Sequence, residues 1–238
     1  MGAPATGRLK PAPRLAYRYT AAMDSHARSL LADGLAELQI AADGIAVDRL
    51  CALADLVSEW NDRFNLTAIT EPVAMVRKHL LDSATVHPYL QGSAVTDVGT
   101  GAGFPGLPLA ILNPTIRFQL VDSIRKKIGF VSHAAGVLGL DNVTATCSRA
   151  EAVEGRSATT VISRALATVD TFVRQAGHLA VPGGQLLAMK GRDPSAECVQ
   201  LPRPWVVSRI QRHLVRRWQA LSRFPIPDPE REPGAALG

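Results

Sequence analysis

The apolar positions of this chain fall first into a helical and then into an alternating pattern. From Asp24 to Ile40, Leu30, Leu31, Leu35 and Leu38 gather on one side of a helix. Leu50, Leu53, Val57, Trp60 and Phe64 follow at spacings of three, four, three and four, which puts all five on one stripe. That stripe reads as core. A third helix is predicted from Glu71 to about Tyr89, with Pro72 at a favourable first-turn position.

Beyond residue 90 short β-prone runs alternate with helices. Strands are predicted at Val95–Val98, Phe118–Asp122, Val143–Cys147, Thr160–Ser163 and Gly184–Lys190, and helices from Pro105, over Ser123–Leu140 and over Thr168–Val181. This order predicts an α/β fold: a doubly wound, mostly parallel sheet with an N-terminal helical extension. Past Gly191 the pattern degrades.

The chain therefore divides into a basic, acid-free extension over 1–23 expected to be disordered, a helical segment over 24–90 packed on the main domain, a core over 91–191 and an Arg- and Pro-rich tail over 192–238. Met23 is an alternative start, and an organelle transit peptide is a weaker reading of the same stretch. At 238 residues and 47% hydrophobic, one substantial core is expected. Aromatics make up only 5%, which suits a helix-covered parallel sheet. Cys51, Cys147 and Cys198 are isolated, so neither a disulfide framework nor a metal site is indicated. His79 and His87 face the same way but have no third ligand. No run approaches the ~18 apolar residues of a membrane span, and a soluble cytoplasmic protein is expected.

The stretch Asp97–Gly106, DVGTGAGFPG, carries the chemistry. Strand, glycine turn and helix follow one another, and glycines at 99, 101 and 103 let the backbone come within contact distance of a ligand. Gly101-x-Gly103-x-x-Gly106 with Asp122 placed 19 residues after Gly103 also fits a dinucleotide fingerprint. Asp97, two residues before the first glycine, instead resembles the first motif of class I S-adenosylmethionine-dependent methyltransferases, with Asp122 accepting from ribose hydroxyls. An NAD(P)-dependent oxidoreductase remains a rival, as does a ligand-free turn.

Further motifs narrow the choice. FNLTAIT (Phe64–Thr70), RKHLLDS (Arg77–Ser83), DVGTGAGFPGLPLAI (Asp97–Ile111), VDSIRKK (Val121–Lys127), SRAE (Ser148–Glu151), ISRALA (Ile162–Ala167) and MKG (Met189–Gly191) stand in an order that resembles the bacterial 16S ribosomal RNA guanine-N7 methyltransferases, the glucose-inhibited division protein B family. The resemblance covers roughly residues 24–191. It implies S-adenosyl-L-methionine as cofactor, held by Asp97, Gly99, Gly101, Gly103, Phe104, Asp122, Ala150, Glu151 and Arg164. Its implied partner is 16S rRNA in the small ribosomal subunit, and a monomer without metal is expected. Arg164 is also what the chemistry asks for: a donor fork at the C-terminal end of a strand, nearest the transfer itself.

The net charge of +5 sits mostly in the tail, where seven Arg face three acids from Cys198 onward, so bulk basicity is weak support for an RNA partner. Arg77, Lys78, Arg125, Lys126, Lys127, Lys190 and Arg192 are the candidate phosphate contacts, Lys190 foremost because it ends a central strand. The tail departs from the family pattern of a final helix and antiparallel strand pair. Pro204–Ile210 and His213–Trp218 are the runs expected to supply those strands. Other acceptors share the fold, and a non-enzymatic RNA-binding module would need an aromatic platform that three scattered Trp and three Tyr do not make.

Overall fold

The computed structural model describes residues 23–164, 168–191, 195–198, 208–212 and 219–225. Two long helices open it. The carboxylate of Asp24 accepts from the Ala27 N–H at 2.7 Å and starts α1 (Ser25–Glu37), and Asp43 does the same for Ala46 at the head of α2 (Gly44–Phe64). Helix α2 buries Leu50, Leu53 and Val57 as the stripe predicts, and also Cys51, Ala52, Ala54 and Leu56. The buried face is wider because α2 lies between α1 and two helices of the sheet domain. Trp60 is half-buried, its ring 5.1 Å from Phe64 and 5.5 Å from Phe130. Asn65 ends the helix in the left-handed conformation, φ 49°.

The predicted third helix is not one helix. It runs as α3 (Pro72–Met75), a π-helical turn (Val76–Leu81) and α4 (Asp82–Ala84), followed by a 3₁₀ turn at His87–Tyr89. Within the π turn His79, Leu80 and Leu81 are buried in succession, because α1 and α4 pack against this stretch and cover it on more than one side. Arg77 and Lys78 stay exposed.

Next come β1 (Ala94–Val98), α5 (Gly106–Leu112), β2 (Arg117–Asp122), α6 (Arg125–Val137), β3 (Val143–Cys147), β4 (Ala158–Ser163), α7 (Val169–Ala176), β5 (Ala180–Lys190), α8 (Ser195–Cys198), β6 (Ser208–Arg212) and β7 (Gln219–Pro225). They form one sheet in the order β3-β2-β1-β4-β5-β7-β6. The first five strands are parallel, and β7 runs antiparallel between β5 and β6. Two boundaries differ from expectation by four residues or more. The helix expected to reach Val181 stops at Ala176, and the last parallel strand begins at Ala180 rather than Gly184. The strand continues through Pro182-Gly183-Gly184 because the β4–β5 register shifts there, from Ala158↔Ala180 to Thr160↔Gln185, with Gly183 at φ +74°. In the tail, β6 overlaps the expected run Pro204–Ile210, and β7 begins at Gln219. Of the extension expected over 1–23, Met23 is buried in the core, while residues 1–22, Arg192 and the run His213–Trp218 lie outside the described residues.

Alternate residues of the central strands serve two cores. Ile162, Leu187 and Met189 join α1, α2, α5 and α6 on one face, whereas Val161, Leu186 and Ala188 join α7 on the other. Strands β2 and β3 lie to one side of β1 and β4 to the other, so the strand order reverses at the β1/β4 boundary. In open parallel sheets the crevice at such a switch point, outside the carboxyl ends of the strands, is where ligands bind. The glycine loop leaves β1 at that place.

Candidate active site

Two strand-end carboxylates brace the glycine loop. Asp97, completely buried, accepts with Oδ2 from the Thr100 hydroxyl at 2.6 Å and from the Gly106 N–H at 2.9 Å, tying the start of the loop to the start of α5. A Cβ on Gly106 would stand 2.8 Å from that oxygen and 2.7 Å from Leu120 Cγ, so only glycine lets helix and strand close up here. Asp122 accepts with Oδ2 from the Gly101 N–H at 3.0 Å and with Oδ1 from the Ile124 N–H at 2.9 Å. Gly101, at φ +62°, has no atom nearer its ideal Cβ position than the Gly99 oxygen at 4.0 Å, and at Gly99 nothing lies within 4 Å. The loop thus presents a bare backbone to open space, whereas a Cβ on Gly103 would strike Leu107.

The expected roles shift accordingly. Asp97 is loop scaffold first, since burial removes it from the cleft, although its Oδ1 has no hydrogen-bond partner among the described residues. Phe104 is 3% exposed, and its ring stacks on His79 with centroids 4.5 Å apart. Any ligand contact at this position falls to its backbone. Ala150 and Glu151 lie in the 3₁₀ turn after β3, Ala150 buried and Glu151 exposed, and β3 pairs with β2 up to Asp122↔Cys147. These two residues, Asp122 and the loop therefore occupy adjoining strand ends.

Arg164, just past β4, is the hub of a second group. Its guanidinium donates through NH1 to the Lys78 carbonyl and to Asp82 Oδ2, both at 3.2 Å, and sets NH2 3.2 Å from His79 Nδ1, with Cζ 5.4 Å from the centre of the Phe104 ring. Arginine can only donate, so Nδ1 accepts and the proton of His79 sits on Nε2, which donates to Thr67 Oγ1 at 2.9 Å. Thr67 is held in turn by Asn61 Oδ1, which accepts its N–H at 2.8 Å. The motifs FNLTAIT, RKHLLDS and ISRA thus meet in one hydrogen-bonded cluster.

Two buried groups here titrate against each other. Burial, then the Arg164 charge, pushes His79 down to about 4 from 6.5. Burial pushes Asp97 up to about 6 from 3.8, against the hydrogen bonds from Thr100 and Gly106. His79 therefore contributes stability that is present above pH 6.5 and lost as pH falls through about 4. Asp97 runs the other way: its contribution is complete below pH 3.8 and lost as pH rises through about 6. Across the shared window the two cancel. His79→Gln is expected to unmask a fall in stability with rising pH, and Asp97→Asn a rise, each with the slope of about one proton. Denaturant midpoints measured across that window check this, and flat profiles in both variants would refute it.

A family model described as GidB, rRNA small subunit methyltransferase G, matches residues 47–223. The chain belongs to that family. Proteins named ribosomal RNA small subunit methyltransferase G are similar to it: that of Chromohalobacter salexigens is 46% identical over 71% of this chain and 81% of its own, and that of Nitrosococcus oceani 41% identical over 82% and 96%. A SAM-dependent methyltransferase from Aquifex aeolicus shares the fold, with a TM-score of 0.50 at 16% identity over 64% of this chain and 93% of that one. The match runs to residue 223 and so takes in β6 and most of β7, which corrects the expectation that family likeness ends at Gly191.

The cations are less uniform than their sequence suggests. Lys126 donates to the Phe64 carbonyl at 3.1 Å, Lys127 lies 3.9 Å from Asp122 Oδ2, and Lys190 pairs with Glu197 at 2.9 Å. Arg125, Lys126 and Lys127 fill the first turn of α6, where the helix dipole disfavours positive charge by about 0.3–1 kcal/mol per residue. The sequence assigns no separate role to Thr67, His79 or Asp82 beyond their places in the motifs FNLTAIT and RKHLLDS. The available signal was that the two motifs carrying them stood beside ISRA in one family pattern. Among the described residues no helix is long and apolar enough to cross a membrane.

Proposed function

We propose that this protein transfers a methyl group from S-adenosyl-L-methionine to N7 of a guanine in the decoding-region loop of 16S rRNA. The observation that carries the reading is the junction of the glycine loop with the Arg164 cluster through Phe104, which joins a cofactor cradle to a cationic strand end in a member of this family. The cradle fits the cofactor. Gly99 and Gly101 leave backbone open for close approach, Asp122 stands ready for a ribose, and Ile124, 42% exposed beside it, offers an apolar face to a base.

S-Adenosylmethionine supplies an electrophilic methyl on a sulfonium. The guanine nitrogen has a lone pair and no proton to lose, so no base is required. The site agrees: both ring nitrogens of His79 are engaged, and Asp97 is buried under the loop. What the chain contributes is position. Arg164 is oriented by three partners from α4 and the π turn, and orientation of this kind replaces a search through solvent. Exposed Arg77 and Lys78, and the first turn of α6, are the handles for phosphate. One chain supplies every residue of the site, acting as a monomer on the small subunit in the cytoplasm.

Labelled cofactor incubated with small subunits lacking the modification tests this directly. One labelled guanine at N7 is expected. Label confined to protein or small molecules would remove the ribosomal assignment and leave a methyltransferase with another acceptor.

A further inference from the structure

We infer that the C-terminal ends of β4 and β5 and the start of α7 form a phosphate site for the RNA backbone, which Glu197 of α8 fills in the free protein as an internal anion. This rests on the reading that the acceptor is RNA. Three donors meet there. The Val169 N–H at the head of α7 donates to Glu197 Oε2 at 2.8 Å, and Lys190 Nζ lies 2.9 Å from the same oxygen. Ser163, 3% exposed, has a hydroxyl with no hydrogen-bond partner among the described residues, and it lines a small cleft together with Val169 and Lys190. That cleft has room for about one water while Glu197 is in place.

A helix-start N–H, an ammonium and a buried hydroxyl lining one cleft form a donor set for an anion with several charged oxygens. Glu197 satisfies two of the donors with one oxygen and leaves the third unused. A phosphodiester, with two charged oxygens, serves all three. Lys190 is 14% exposed and Glu197 31%, so the ammonium needs an anion beside it, and a phosphate oxygen replaces the one that Glu197 withdraws into water. Ser163 directly precedes Arg164, so a phosphate held here lies on the strand-end edge where the acceptor base has to be placed. Displacing Glu197 also discriminates: an acceptor without a suitably placed phosphate leaves Glu197 on its donors.

Small subunits lacking the modification serve as the probe, with binding measured from low to moderate salt. Glu197→Gln keeps an acceptor for the Val169 N–H but removes the competing charge. It is expected to bind on the order of tenfold more tightly at low salt, because no resident anion has to be displaced, with the slope of log K against log [salt] unchanged. Adding Lys190→Gln should cancel the gain and flatten that slope by about 0.7–0.9, the value of one lost phosphate contact. Ser163→Ala reads the site without touching Glu197: losing an unpartnered hydroxyl does not cost the fold, and RNA affinity should fall about tenfold. Cofactor affinity is measured on every variant by calorimetry.

Unchanged or weaker RNA binding by Glu197→Gln, or a gain that survives Lys190→Gln, overturns the proposal. A gain in cofactor affinity alone also overturns it, because the anion would then be the cofactor's carboxylate. Wild-type protein that neither binds nor methylates the subunits defeats the RNA reading itself, before any variant is compared.

Discussion

Arg164→Ala is expected to slow methyl transfer to small-subunit RNA by about 10²–10³-fold, the usual effect of removing one well-oriented charged donor from a reaction centre. The side chain is 22% exposed and held by the Lys78 carbonyl, Asp82 and His79, so its orientation is fixed before substrate arrives. The cost to the fold is far smaller. Asp82, 21% exposed, reaches water when the guanidinium is lost, and the expected destabilisation is at most about 1 kcal/mol. Arg164→Lys should rescue poorly, because an ammonium cannot span a carbonyl, a carboxylate and an imidazole as a planar fork does. Single-turnover kinetics at saturating cofactor, read beside thermal melts, separate rate from stability. A loss below about tenfold, or one that tracks the melting temperature, would show Arg164 to be structural.

Gly101→Val should lower S-adenosylmethionine affinity by at least about a hundredfold. A branched side chain at φ +62° carries a backbone strain of about 1–2 kcal/mol, but the space it enters is empty of protein to 4.0 Å, so the fold has room for it and the ligand does not. The substitution also disturbs the Gly101 N–H bond to Asp122, which couples the loop to the proposed ribose acceptor. Calorimetry on folded variant protein checks the outcome. Unchanged affinity would mean that the open face of the loop is not the cofactor's seat, and tight NAD binding by wild type would revive the oxidoreductase reading.

Local pattern alone determined much of this molecule. The α2 stripe, the five parallel strands and the loop after β1 were legible because their signals are short-range: a helical period, a β-prone run, glycines beside an acid. Strand ends were read closely where turn residues mark them, as at Val143–Cys147, and missed at Pro182-Gly183-Gly184, where pairing with β4 carries the strand through residues that usually end one. The tail strands gave little signal because their position depends on β5, to which β7 pairs antiparallel. The Arg164 cluster was invisible for a deeper reason. Thr67, His79, Phe104 and Arg164 are widely spaced in sequence, and the π turn that turns His79 inward leaves no mark in a pattern with helical period. Sequence named the loop and the family; only tertiary packing could show that His79 is neutral, that Asp97 works from beneath the loop and that Glu197 sits on Lys190, because hydrogen bonding and desolvation are properties of neighbours brought together by the fold.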